Sequence, residues 1–353
     1  QKGCGFHNTL TTPERVKYPL RRVGDRGEGK WQRISWDDAL TDVADAILDA
    51  HQQAGTESVI VDAPHIHSGS VGLAATSRFI GQIDGLTLDL NVSIGDDLKG
   101  IGQTFGKMAQ GYTADNFFDA DLVILTQANI SYTWPPTYHF LTEARYNGTE
   151  VVLIAPDYNA TGLTADIHVP VKVATDAALW LAICQVIIEE DMVDEAFVRE
   201  QTDLAILVRK DNGRYLRADE VTGDRPEQLY FYDSLQKAIV EAPRGTLSYE
   251  GEQALEGTYT VTLLDGSEVE VTPVFAQMRE KLFREYTPRQ AEKMCGVHPD
   301  LITRLAKKVA TMRTCSYIGF SSGKHYHGDL MERSQILAMA LSGNWGKPGT
   351  GFN

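Results

Sequence analysis

What this sequence has little of narrows it first. Its 353 residues include four cysteines, at positions 4, 184, 295 and 315, too widely spaced for a CxxC metal knuckle and too few to scaffold such a chain with disulfides. They read as free or buried thiols. No apolar run approaches the roughly 18 residues that a membrane span requires. Basic residues are scarce, 33 against 48 acidic, and the formal charge of -15 repels phosphate backbones and acidic lipid surfaces. Nucleic-acid binding is set aside on that ground. Internal repeats and low-complexity tracts are missing too. At 42% hydrophobic and 23% charged residues, the composition is that of a folded chain with a sizeable core, and at about 150 residues per domain it suggests two or three domains. There is no initiator Met, basic n-region or apolar signal segment, so the chain reads as an internal piece of a longer protein whose targeting signal lies elsewhere.

What is present has a regular grammar. Residues 1–34, rich in Gly, Arg and Lys, show no sustained period and read as an extended arm. Ser35 is placed to cap a helix running to about residue 52, with Asp37 and Asp38 in its first turn and Leu40, Val43, Ile47 and Ala50 on one face. Residues 57–62 read as a buried strand, followed by a loop with His65 and His67 and a helix from Ser70 to about Ile83. Strand then alternates with helix: strand 121–126, helix 137–146, strand 150–155, strand 167–173, helix 175–190. Between about 203 and 275 short alternating runs, with Asp265-Gly266 as a hairpin turn, predict a β-rich insertion. Helical periodicity returns at 274–285 and 299–312, and strand 315–320, a glycine loop and helix 329–341 close the pattern. The fold class predicted is α/β, with doubly wound parallel sheets. Ligands of such sheets sit at the carboxyl ends of the strands, which here carry Gln127-Ala128-Asn129, Pro156-Asp157-Tyr158 and Thr175-Asp176. These three polar loops are expected to converge on one crevice.

Chemistry is suggested at three places. The stretch Gly319-Phe320-Ser321-Ser322-Gly323-Lys324-His325-Tyr326-His327-Gly328 lacks the Gly-Lys-Ser/Thr order of a phosphate-binding P-loop, so Walker-type chemistry is not expected. Its bare glycine amides, Lys324 and two imidazoles suit an anionic cofactor at a helix N-terminus; the glycines equally suit a tight turn alone. In Ile94-Gly95-Asp96-Asp97-Leu98-Lys99-Gly100 the paired carboxylates can ligate a metal or form a solvated acidic turn. Asp176 at a helix start reads locally as a cap, although its two oxygens also match the paired donors of guanine. The histidines make no HExxH or similar zinc spacing, and Cys184 lies on an apolar helical face.

Taken in order, these pieces resemble the catalytic subunit of the molybdenum bis(molybdopterin guanine dinucleotide) oxidoreductases, the dimethyl sulfoxide reductase family. The resemblance runs over essentially the whole chain. It is most specific at Arg15-Val16-Lys17-Tyr18-Pro19-Leu20, at Gly27-Glu28-Gly29-Lys30-Trp31-Gln32-Arg33-Ile34-Ser35-Trp36-Asp37, from Tyr138 to Asp157, and at Leu341-Ser342-Gly343-Asn344-Trp345-Gly346-Lys347-Pro348-Gly349-Thr350-Gly351. Within the family it looks like the respiratory nitrate reductase branch, archaeal type, which also holds selenate, chlorate and perchlorate reductases, dimethyl sulfide dehydrogenase and ethylbenzene dehydrogenase.

The resemblance implies molybdenum held by two pterin dithiolenes and one carboxylate, the catalytic and metal position being Asp96 or Asp97, with Ser93 as a further alternative. It implies that Gln127 and Asn129 line the pterin and that Asp157 and the Thr175-Asp176 pair meet guanine. Gly323, Lys324, His325 and Gly328 would contact the second half of the cofactor. A 4Fe-4S cluster belongs to the complete protein; the last cluster cysteine of relatives stands just before the segment matching Gln1-Lys2-Gly3, so Cys4 is not expected to be a ligand, and a large C-terminal region of relatives is missing. The domains expected are the arm 1–34, a discontinuous cofactor domain of 35–105 with 313–353, and an inserted cofactor domain 106–312. The implied activity is reduction of nitrate to nitrite by electrons relayed through iron-sulfur clusters. Implied partners are an iron-sulfur electron-transfer subunit and a membrane anchor or cytochrome subunit, at the outer face of the cytoplasmic membrane. Reduction of chlorate, perchlorate or selenate, oxidation of dimethyl sulfide or ethylbenzene, and a non-catalytic electron-relay subunit of the same fold stand as alternatives.

Overall fold

The structure is a computed structural model; it describes residues 5–62, 69–88, 98–106, 111–243, 249–320 and 322–353. The chain divides into two compact units, Gln1–Ile94 and Gly95–Asn353.

In the first unit the expected arm contains a hairpin. Strands β1 (Leu20–Arg22) and β2 (Trp31–Arg33) pair antiparallel, and the amide of Val23 donates to the carbonyl of Lys30 at 3.0 Å to close them. Gly27 and Gly29, both at positive φ, let the intervening chain turn where a side chain would be strained. Three-residue strands are too short to show a period, which is why the sequence reads as irregular. Helix α1 (Trp36–Ala54) starts as predicted: the amide of Asp38 donates to Oγ of Ser35 at 3.0 Å, and the Asp38 carboxylate faces the Ser35 amide in a capping box. Strand β3 (Ile60–Val61), helix α2 (Gly69–Gln82) and strand β4 (Leu86–Thr87) form a βαβ unit with β3 parallel to β4. The strand expected over 57–62 shrinks because residues Thr56–Ser58 curl into a 3-10 turn.

The second unit is built on a five-stranded, wholly parallel sheet. Its strands are β5 (Leu122–Thr126), β6 (Glu150–Ile154), β7 (Ile167–Val169), β13 (Thr314–Ile318) and β14 (Gly351–Phe352), in the order β14-β13-β5-β6-β7. A short helix α3 (Lys99–Phe105) precedes the sheet, and helices α4 (Ile130–Thr133) and α5 (Pro135–Tyr146) connect β5 to β6. After β7 come α6 (Asp176–Glu189) and α7 (Glu195–Gln201). Every residue of β5 is buried, because helices cover both faces and the unbroken apolar run has no solvent side. Alternate residues serve opposite cores. Leu122, Ile124, Val152 and Ile154 pack with α6, whereas Val123, Leu125, Val151 and Leu153 pack with Leu141 and Ala144 of α5. Each such buried aliphatic side chain contributes about 1.5–3 kcal/mol. Strand β7 stops at Val169 because Pro170 has no amide to extend the ladder; the chain turns instead, and the amide of Lys172 donates to the carbonyl of Cys295 at 2.9 Å.

The β-rich stretch forms as expected. Strand β8 (Leu207–Arg209), short helix α8 (Ala218–Val221), hairpin β9 (Tyr230–Asp233) with β10 (Ala238–Glu241), and hairpin β11 (Tyr259–Thr262) with β12 (Glu268–Pro273) surround a small core of their own. Helices α9 (Val274–Glu285), α10 (Pro288–Cys295) and α11 (Pro299–Thr311) then pack on α6, and α12 (Asp329–Leu341) follows β13. Because β13 pairs directly with β5, residues 314–352 share a sheet with the 106–312 stretch, where the sequence reading had grouped 313–353 with 35–105. Among the described residues no helix is long and apolar enough to cross a membrane.

Candidate functional site

The strand order sets where a ligand can enter. From β5 the chain moves outward to β6 and β7, then returns on the opposite side of β5 as β13. The connections leaving the carboxyl ends of β5 and β13 therefore diverge, and an open parallel sheet has its crevice at such a switch point.

The two loops at this point come very close. Gln127, the first residue after β5, has φ of 53°, a left-handed conformation that non-glycine residues adopt at a cost. Its carbonyl lies where a side chain on Gly319 would have to be: a Cβ there would stand 2.1 Å from the Gln127 oxygen. The amide of Gly319 donates to the carbonyl of Thr126 at 2.9 Å. Only glycine allows this approach. Gly328 is similarly constrained, since a Cβ would stand 2.1 Å from the Ser322 oxygen, so residues 322–328 fold back on themselves before α12.

Helix α12 supplies the floor. Gln335, fully buried, donates from Nε2 to Oγ1 of Thr126 at 2.7 Å and accepts from Oγ of Ser316 at 3.1 Å, tying β5 to β13. Glu332, one turn earlier and also fully buried, accepts from the Ser322 hydroxyl and from the Ile101 amide at 2.9 Å. Burial pushes the Glu332 carboxyl above the ordinary carboxylate range, opposed by these donors. Met331 places its sulfur 3.0 Å from Nε2 of Gln127.

Asp176 enters from the start of α6. It is 1% exposed, its Oδ2 accepts from Nε2 of Gln127 at 2.9 Å, and its Oδ1 is buried with no hydrogen-bond partner. Burial raises its pKa, while the Gln127 donor and the charge of His325 pull the other way. A buried carboxylate oxygen without a donor costs free energy, and a ligand carrying N–H groups would relieve it. The local expectation of a cap is corrected here. Asp176 lies inside the first turn and no side chain caps α6, because Gln127, distant in sequence, claims the carboxylate.

The other expected site residues scatter around this centre. His325, half-buried, reaches Asp176 electrostatically, and Gly323, Lys324 and Gly328 share its loop, with Lys324 exposed. Asn129 is occupied in the scaffold: its side-chain oxygen accepts from the hydroxyls of Thr161 at 2.9 Å and Ser131 at 3.1 Å, binding the loop after β5 to the chain beyond β6. Asp157 is exposed on the loop after β6. The Thr175 hydroxyl donates to the Lys172 carbonyl at 2.6 Å, finishing the turn that leads into α6. Asp96, Asp97 and Ser93, with His65 and His67, lie outside the described residues. Among the described residues no group of three or more His, Cys, Asp or Glu side chains could hold a metal ion. Cavities of about 670 Å³ on α11 and about 690 Å³ on α2 include none of the crevice residues.

Sequence reasoning missed Ser322, Met331, Glu332 and Gln335. The available signal was two polar residues three apart on α12, Glu332 and Gln335, at positions that the helical period assigns to the buried face.

Comparison with known proteins supplies the class. Residues 15–353 match the molybdopterin oxidoreductase family. The chain is 36% identical to perchlorate reductase subunit alpha of Dechloromonas aromatica, covering 100% of this chain and 41% of that protein. It is 34% identical to dimethylsulfide dehydrogenase subunit alpha of Rhodovulum sulfidophilum (99% and 39%) and 32% identical to respiratory nitrate reductase subunit alpha of Haloferax mediterranei (100% and 38%). In fold it is similar to acetylene hydratase from Pelobacter acetylenicus, with a TM-score of 0.65 at 21% identity over 99% of this chain and 38% of that one. The chain belongs to the molybdopterin oxidoreductase family, whose members work with a molybdopterin cofactor. It spans about two fifths of the length of these curated relatives.

Proposed function

We infer that the chain is the cofactor-cradling part of the catalytic subunit of a molybdenum oxyanion reductase that converts nitrate to nitrite. The observation that carries this reading is the buried Asp176 carboxylate, held by Gln127 through one oxygen and left unpartnered at the other, at the switch point of a parallel sheet. Such an acceptor fits the paired N–H donors of a guanine, and Gly323, Lys324 and His325 in the loop before α12 would meet its phosphates. The residues present thus fit a molybdopterin guanine dinucleotide. Gln127 and Asp176 would hold one end, with Asp157 and Thr175 flanking it and Asn129 bracing the loop. Gly323, Lys324, His325 and Gly328 would receive the second half, and Asp96 or Asp97 would supply the protein ligand to molybdenum.

When bound, this cofactor supplies two-electron redox chemistry coupled to transfer of one oxygen atom. The chain's own residues bind and orient it. Lys324 and His325 offset phosphate charge, the close Gly319–Gln127 contact fixes the crevice width, and the buried Gln335 and Glu332 keep the two loops in register. Nitrate reduction consumes two electrons and two protons and yields nitrite and water. Electrons would come through 4Fe-4S clusters of the complete protein and an iron-sulfur partner subunit, with a membrane anchor or cytochrome subunit placing the complex at the outer face of the membrane. The names of the relatives as alpha subunits support a complex of several chains.

The 36% identity to a perchlorate reductase subunit favours one second reading, chlorate or perchlorate as the oxyanion. The deciding experiment is oxidation of reduced viologen by the full-length enzyme with its partner subunits, supplied with nitrate, chlorate or perchlorate in turn. A kcat/KM highest for nitrate bears out the proposal. Preference for chlorate or perchlorate moves it to the second reading, and failure with all three in molybdenum-loaded enzyme rejects oxyanion reduction.

A further inference from the structure

The N-cap residue of helix α3, Leu98, has φ of 48° and makes no side-chain cap bond, and the first amides of any helix need acceptors. The acceptor is Glu332 on α12, 231 residues away, whose Oε2 takes the Ile101 amide at 2.9 Å. Its Oε1 takes the Ser322 hydroxyl. The helices are pressed together at this point: a Cβ on Gly100 would stand 2.5 Å from the Asp329 carbonyl and 2.7 Å from Cβ of Glu332. With Glu332 fully buried, no water competes for either bond, and two segments distant in sequence share one carboxylate.

The geometry points to Glu332 as a positioning residue that clamps the loop after β13 onto α3, so that the loop presenting Gly323, Lys324 and His325 is set by the same carboxylate that holds the Ile101 amide. This rests on the cofactor reading of the crevice. A helix residue satisfying only itself would touch one neighbouring segment; Glu332 touches two and leaves neither oxygen idle. Packing alone does not call for it, because an apolar side chain of similar volume would fill the same space without the desolvation that a buried carboxylate brings.

The test is amide hydrogen exchange on the full-length enzyme, comparing wild type with Glu332→Gln, Ser322→Ala and Asn344→Ala, together with the molybdenum content and molybdenum EPR spectrum of each. Glu332→Gln keeps the shape and can still reach both segments, so it is expected to fold, but as a neutral amide it holds each of them more weakly. Its exchange should quicken about tenfold or more in both 99–105 and 322–328, the two segments moving together. Ser322→Ala should loosen 322–328 and leave Ile101 protected. Asn344 binds the Thr314 amide and the Val309 carbonyl away from the loop, so Asn344→Ala should lower the melting temperature with an unchanged EPR spectrum, whereas Glu332→Gln should alter the spectrum or lower molybdenum content several-fold. Exchange that quickens in one segment only, or everywhere alike, overturns the clamp, as does a wild-type spectrum with wild-type loading in Glu332→Gln. Should wild-type enzyme itself carry no molybdenum, the cofactor reading falls, and the exchange pattern still decides whether Glu332 joins the two segments.

Discussion

Replacing Asp176 with alanine should separate two properties that usually fail together. Two opposing effects act in the cofactor-free chain. The substitution removes the bond from Gln127 at 2.9 Å, and a hydrogen bond to a charged group contributes about 1.5–3 kcal/mol. It also removes a buried oxygen with no partner, whose burial costs about 1–3 kcal/mol. They nearly cancel, so the cofactor-free variant should melt within about 1 kcal/mol of wild type, against the several kcal/mol expected when a satisfied buried charge is broken. In the loaded enzyme there is no cancellation, because the free oxygen is then the contact being lost. Cofactor retention should fall about 10- to 100-fold, the equivalent of one charge-assisted bond. The assay pairs thermal melting of protein made without molybdopterin with metal and guanine nucleotide content of protein made with it. A pH series adds a sign. Burial holds the Asp176 carboxyl above its ordinary value, so the folded chain binds that proton more tightly than the unfolded one. Stability from this group is full below the ordinary carboxylate range and declines as pH rises through the raised value; Asp176→Asn should flatten that decline. A variant that loses several kcal/mol unloaded yet retains its molybdenum would refute the reasoning and make Asp176 a structural strut.

Two further variants test the cofactor reading. Gly319→Ala forces a Cβ against the Gln127 carbonyl, which is backbone on both sides of the contact, and should cost about 1–3 kcal/mol of stability by chemical denaturation, with unchanged melting arguing that the loops stand further apart. Changing Asp96 and Asp97 together to alanine in the full-length enzyme should abolish turnover and change the molybdenum EPR signal, and an unaltered signal would remove both residues from the ligand assignment.

Strands β5, β6, β7 and β13 were legible because their residues obey local rules, whereas the two-residue β14 was not read. Leu122–Leu125 and Val151–Ile154 are unbroken apolar runs, and a run of that kind says "buried strand" without reference to anything else. Ser35 and Asp38 announce a helix start within four residues. The hairpin at 20–33 escaped because its strands are three residues long, and α10 because a helix of eight residues beginning at Pro288 gives barely two turns of periodicity. The site divides in the same way. Gln127 and Asp176 could be placed at strand ends from sequence, and the family resemblance pointed to them as cofactor contacts, yet their bond to each other could not be read, since nothing local to Asp176 distinguishes a cap from a residue claimed by a partner across the sheet. Glu332 was missed for the converse reason: a carboxylate in a helix reads as a solvated face until a distant segment is seen to cover it.

The neighbours at the centre of the sheet are far apart along the chain: Asp121 at the foot of β5 and Arg313 at the foot of β13, joined by paired bonds of 3.0 and 2.8 Å, are 192 residues apart. Closing so long a loop is costly before any of its contacts form. During synthesis β5, β6 and β7 can therefore associate while the flank of β5 is still an edge of unpaired backbone N–H and C=O groups between mostly apolar side chains, the kind of surface that invites aggregation. The crevice does not exist until β13 zips onto that edge, so its assembly is the late step of folding, and a ligand that bridges the two loops would bind only after that step and hold it closed.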